Sequence, residues 1–154
     1  MVVESSEEKI NHGGNFYLRY PTIWGGKVIP PVKVRMDDVR VYNRALSGQQ
    51  VMQHYLAEAA AWGKDLSLFV KLEIADPGLV AHYTFDEGPS DTIRDTSGNE
   101  NHGKNHGAEY VKAPDGTGYV LHFSDANAYV DCGNDPSLDL TDALTIELWV
   151  YREN

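Results

Sequence analysis

Cysteine is almost missing from this chain. Cys132 stands alone among 154 residues, so no intramolecular disulfide and no four-cysteine zinc site can form. Basic residues are scarce too: thirteen Lys and Arg face 23 Asp and Glu, a formal net charge of −10, with a sequence pI near 4.9. Such a surface repels phosphate backbones and anionic lipid headgroups, which argues against nucleic-acid and membrane-surface binding. It is compatible with neutral ligands and with divalent cations. No run approaches 18 consecutive apolar residues, so no helical membrane span is expected. The first ten residues, MVVESSEEKI, carry acids where a secretory leader would carry basic residues and an apolar run. Hydrophobic residues nonetheless make up 42% of the chain, enough for a packed core. A chain of 154 residues suits one domain that needs no disulfide.

The apolar pattern is mostly that of strands. Val32–Met36 alternates with period two, Val39–Tyr42 is a short β-rich run, and Leu66–Ile74 alternates over much of its length. Further strands are expected at Leu79–Phe85, Tyr119–Phe123, Tyr129–Cys132 and Leu144–Tyr151. In the last, Leu144, Ile146, Leu148 and Val150 share one face, and Thr145, Glu147, Trp149 and Tyr151 the other. Turn chemistry separates these runs, as in Asp76-Pro77-Gly78, Pro114-Asp115-Gly116 and Asn134-Asp135-Pro136-Ser137. One helix is expected over Gln49–Ala61, with Ser47 as N-cap, Gly63 as stop, and a stripe of Val51, Tyr55, Leu56 and Ala59, packed against the edge or end of the sandwich. The fold class is therefore all-β: an antiparallel sandwich of jelly-roll type with one short helix. Residues 63–78 form a seam between residues 1–62 and 79–154, which differ in character.

Several segments taken together resemble a known family. Leu79-Val80-Ala81-His82-Tyr83-Thr84-Phe85-Asp86-Glu87-Gly88, the loop Asp95-Thr96-Ser97-Gly98-Asn99, Tyr119–Phe123, Asn127–Val130 and Leu144–Val150 are similar to the opening half of a laminin-G-like (concanavalin A-like lectin/glucanase) jelly roll. Met36-Asp37-Asp38-Val39-Arg40-Val41-Tyr42-Asn43-Arg44-Ala45-Leu46-Ser47 and the following helix resemble the closing end of such a domain. The order is thus inverted. Either the chain straddles two tandem domains, or its halves assemble together within one chain or across a swapped oligomer. The second reading is preferred, since a half jelly roll leaves an apolar sheet face uncovered.

The resemblance implies an extracellular or cell-surface, carbohydrate-binding or adhesion module without catalysis, partnered by a glycan or an extracellular protein. It also implies a structural calcium at Asp95, Asn99 and Asn101, completed by Asp37 from the other half. Calcium takes six to eight oxygens, which a Gly-containing acidic loop can gather; the competing reading of Asp95 is a plain Asx turn. Sugars stack on aromatic faces, so Trp24, in Ile23-Trp24-Gly25-Gly26, is the first platform candidate, with Tyr20 and Tyr110 behind it. Ordinary packing competes at all three, and Trp149 reads as core.

No paired carboxylates at glycosidase spacing are present: Glu147 is alone on its strand, and Asp37 and Asp38 would point to opposite faces. His102 and His106 have i, i+4 spacing, but the surrounding Gly and Asn favour exposed loop histidines over zinc. The rival functional readings are self-assembly through strand or half-domain complementation and a glycoside hydrolase remnant.

Overall fold

The structure, a computed structural model, describes residues 2–6, 16–18, 23–24, 27–28, 33–61, 77–114 and 116–152. The expected strand at Leu66–Ile74 and the helix stop at Gly63 lie outside them. In chain order come β1 (Val2–Ser6), β2 (Tyr17–Leu18), β3 (Ile23–Trp24), β4 (Lys27–Val28) and β5 (Val34–Tyr42). The helix α1 (Gly48–Ala61) follows. Then come β6 (Leu79–Tyr83), β7 (Thr92–Ile93), β8 (Gly103–His106), β9 (Glu109–Lys112), β10 (Tyr119–Phe123), β11 (Tyr129–Asp131) and β12 (Leu144–Arg152).

All pairings are antiparallel. A six-stranded sheet runs β1-β12-β5-β10-β9, with β6 also on β5, and a four-stranded sheet runs β2-β11-β8-β7. The strands β3 and β4 form a separate hairpin. Val34, Met36, Val39, Val41, Tyr83, Leu121 and Phe123 of the larger sheet meet Leu18, Ile93 and Val130 of the smaller one in a single buried cluster. The architecture is a β-sandwich, as the strand pattern predicts.

The strand β5 organises the larger sheet. One edge pairs with β12 along its length; the other is shared by β10 at Val34–Met36 and β6 at Val39–Tyr42. A strand from before the seam is therefore surrounded by three from after it, so the two ends of the chain build one sheet. The two runs expected as separate strands are one strand with a bulge between them. Glu147 faces Arg40 and Trp149 faces Asp37, so Asp38 and Val39 of β5 lie opposite the single Leu148 of β12. Asp38 takes the positive φ of 50° that this extra residue requires. The bulge also resets the phase. Val34 and Met36 point inward before it, Val39 and Val41 after it, where unbroken alternation would bury Asp38 and Arg40 instead.

The helix begins one residue earlier than expected, and Ser47 caps it. Ser47 Oγ accepts the Gln50 N–H (3.3 Å) while Gln50 Oε1 accepts the Ser47 N–H (3.1 Å), a reciprocal capping box. The buried stripe differs from the expected one: His54 and Ala59 are buried, whereas Tyr55 is exposed. The reason lies in the surface beneath. The helix covers the outer face of β12 and β5, which presents Thr145, Glu147 and Tyr42 rather than aliphatic side chains.

Candidate functional site

Four groups of side chains collect the chemistry-bearing residues. The first is the acidic loop after β7. Asp95 is buried, and both its oxygens are occupied: Oδ1 accepts the His82 and Ser97 N–H groups at 2.9 and 2.8 Å, Oδ2 the Ser97 hydroxyl and Asn101 N–H at 2.8 and 3.0 Å. Asn99 Nδ2 donates to the carbonyls of Leu79 and Val80, and Asn101 Nδ2 to Val80 O and Ser137 Oγ. The loop thus stitches the start of β6 to the turn at Pro136–Leu138. Asp95, Asn99 and Asn101 come together as the resemblance implies, but Asp37 takes no part. It accepts the Asp38 N–H and lines a groove on the outer sheet face. Of the loop's buried side-chain oxygens, Asn101 Oδ1 is the one with no hydrogen-bond partner among the described residues. Among the described residues no three His, Cys, Asp or Glu side chains are grouped to hold a metal. A carboxylate turned wholly toward N–H and O–H donors fits the Asx-turn reading better than a resident cation.

The second group joins the halves through a carboxylate and an imidazole. The bulge turns the Asp38 carboxylate onto His82, with Oδ1 2.5 Å from Nε2, while Arg40 bonds Oδ2 at 2.9 Å. On the other side of the ring, Nδ1 lies 3.0 Å from Thr96 Oγ1, whose hydroxyl also donates to the His82 carbonyl. Asp38 therefore does not simply oppose Asp37 across a flat strand: the left-handed residue re-aims it along the sheet surface.

The third group lies under the helix. His54 Nδ1 sits 2.6 Å from Glu147 Oε2, with the two side chains 6% and 2% exposed. The Tyr42 ring stacks on His54, and Glu147 Oε1 is buried with no hydrogen-bond partner among the described residues. Thr145 Oγ1 donates to Arg44 O and accepts the Leu46 N–H, fixing the approach to the helix. Trp149, expected in the core, stands on this outer face against Tyr55. The β12 residues that pack on the core are Leu144, Ile146 and Leu148.

The fourth group forms an open groove of about 470 Å³ at the edge of the sandwich, lined by Ser90, Asp91, Asn105 and Tyr110 with Pro89 and Ala108. Tyr110 sits in β9 opposite Leu121. Its hydroxyl donates to Glu87 at 3.1 Å, and its ring meets Tyr119 edge-on. Partial burial, together with the Glu87 charge, holds the phenol protonated well above the usual tyrosine range. Asn105 is spent on the turn, exchanging hydrogen bonds with both backbone groups of Ala108. Asp91 and Ser90 are exposed at the groove, Ser90 Oγ accepting the Thr92 N–H, while the half-buried Tyr110 ring lines it and also packs against the core cluster.

Of the other aromatic candidates, Trp24 ends β3 opposite Lys27, and Tyr20 lies outside the described residues. His102 is exposed and accepts the Asp95 N–H, but His106 is a strand residue stacked on Tyr129, not a loop residue. No helix among the described residues is long and apolar enough to cross a membrane. No protein-family model, curated protein or solved structure matches the chain.

Proposed function

We propose that this chain is a non-catalytic, laminin-G-like sandwich module working outside the cell, which binds neutral glycans in the groove beside Tyr110. The observation that carries the reading is the half-buried Tyr110 ring set in an open groove with the Asp91 carboxylate and Ser90 hydroxyl. A sugar offers an apolar ring face to the aromatic and hydroxyls to the polar groups. The net charge of −10 favours neutral over acidic glycans. A binding role also accords with Glu147, the lone acid of its strand, being buried against His54 rather than facing a groove.

The test is calorimetric titration with a panel of neutral and acidic oligosaccharides. Loss of a stacking platform worth about 1.5 kcal/mol weakens binding about tenfold, so Tyr110→Ala is expected to do so and Tyr110→Phe to retain most affinity. Circular dichroism would check that both variants fold. Absence of binding across the panel, or equal affinity for Tyr110→Ala, overturns the reading.

A further inference from the structure

The exposed large hydrophobic side chains of the described residues are Met52, Tyr55, Val150 and Tyr151. Met52 and Tyr55 lie on α1, and Val150 and Tyr151 at the end of β12; of these Tyr151 shares the outer face with Trp149, which contacts Tyr55. The helix stands over the Thr145–Glu147 end of the outer sheet face. The other end is open, and there a groove of about 200 Å³ runs between Pro114, Val120, Trp149 and Tyr151, with Arg35 and Asp37 along it. Apolar side chains edged by charge are the composition of a contact surface.

The register identifies the occupant. Met36 pairs with Val150 in the ladder; on one side of that rung Arg35 faces Tyr151, and on the other Asp37 faces Trp149. These four side chains share the outer face. Consider a two-fold axis lying in the contact plane, across the strands at the Met36–Val150 rung. It places Arg35 of each copy on Asp37 of its mate, and Trp149 of each on the mate's Tyr151. The patch is therefore complementary to itself in both charge and aromatic surface, which is what an isologous contact needs. Tryptophan, tyrosine and arginine are also the residue types enriched at such contacts. We infer that this open end of the outer face is the contact between two copies of the chain, packed face to face about a two-fold axis. The pairing is independent of the glycan reading; it would carry two Tyr110 grooves on one particle and so raise avidity for a repeating ligand.

Sedimentation velocity and light scattering at several concentrations test this. The full chain is expected at twice its 17.1 kDa mass, dissociating on dilution. Arg35→Asp sets two like-charge contacts in place of two ion pairs and weakens association about a hundredfold. The double exchange Arg35→Asp with Asp37→Arg restores complementarity and recovers the dimer. Tyr151, 61% exposed, tolerates substitution without loss of the fold, so Tyr151→Glu supplies an independent disruption. A single-chain mass at every concentration overturns the inference. So does a dimer indifferent to Tyr151→Glu, or a folded double exchange that stays monomeric.

Discussion

Replacing Asp95 by Ala isolates what holds the acidic loop. The carboxylate is buried and accepts four hydrogen bonds. Hydrogen bonds to a charged acceptor contribute about 1.5–3 kcal/mol each, but they do not add. After truncation the Ser97 hydroxyl still has the Val80 carbonyl at 3.0 Å. The surrounding loop residues are largely exposed, so water can reach much of the remainder. The Asn101 N–H, in a residue only 4% exposed, is the donor left stranded, at a cost of about 1–3 kcal/mol. A net loss of about 3 kcal/mol is expected, which for a domain of this size lowers the melting temperature by about 6–12 °C. Urea unfolding followed by tryptophan fluorescence, with EGTA and again with added calcium, measures it. If hydrogen bonding holds the loop, the loss is equal in both conditions and chelation leaves the wild-type midpoint unmoved. A loss below about 0.5 kcal/mol, or one that emerges only with calcium, would refute the reasoning and restore a cation to the loop.

Two further outcomes follow from buried groups. His54→Ala strands the Glu147 carboxylate beneath α1 and should cost about 3–5 kcal/mol, whereas His54→Leu with Glu147→Leu should be near neutral or stabilising; equal losses for the two variants would show that the pair itself stabilises the fold. Burial pushes the Cys132 thiol from 9.0 up to about 12, against the opposing hydrogen bond from Tyr83 and with the Asp131 charge adding to it. The folded value lies above the unfolded one, so this contribution is whole below pH 9.0 and is lost as pH rises toward 12. Cys132 should resist a thiol reagent at about pH 8 in the native protein and react on addition of denaturant; prompt native labelling would contradict its burial.

The alternation of β10 and β12, the turn residues and the Ser47 cap were legible because each depends on residues within a few positions along the chain. Even the bulge left a trace: Val34-Arg35-Met36 and Val39-Arg40-Val41 alternate out of phase across Asp37-Asp38, and two runs read as two strands are one strand with an added residue. The short strand β8 left none. Gly103-Lys104-Asn105-His106 has little strand propensity, and it is extended because β7 and β11 pair with its two edges.

The candidate sites divide the same way. Asp95, Asn99 and Asn101 could be picked out as a loop through the family resemblance, and Tyr110 as one aromatic among several. That Asp38 rather than Asp37 reaches across to the other half depended on a single positive φ. That a helical His54 meets Glu147, 93 positions away, and that Tyr110 shares a groove with Asp91, depended on which strands pair. Local sequence determines whether a segment is extended, helical or turned, through forces acting over a few residues. The partners of a buried charge are decided only when distant segments exclude water together, and by then the choice belongs to the whole sandwich.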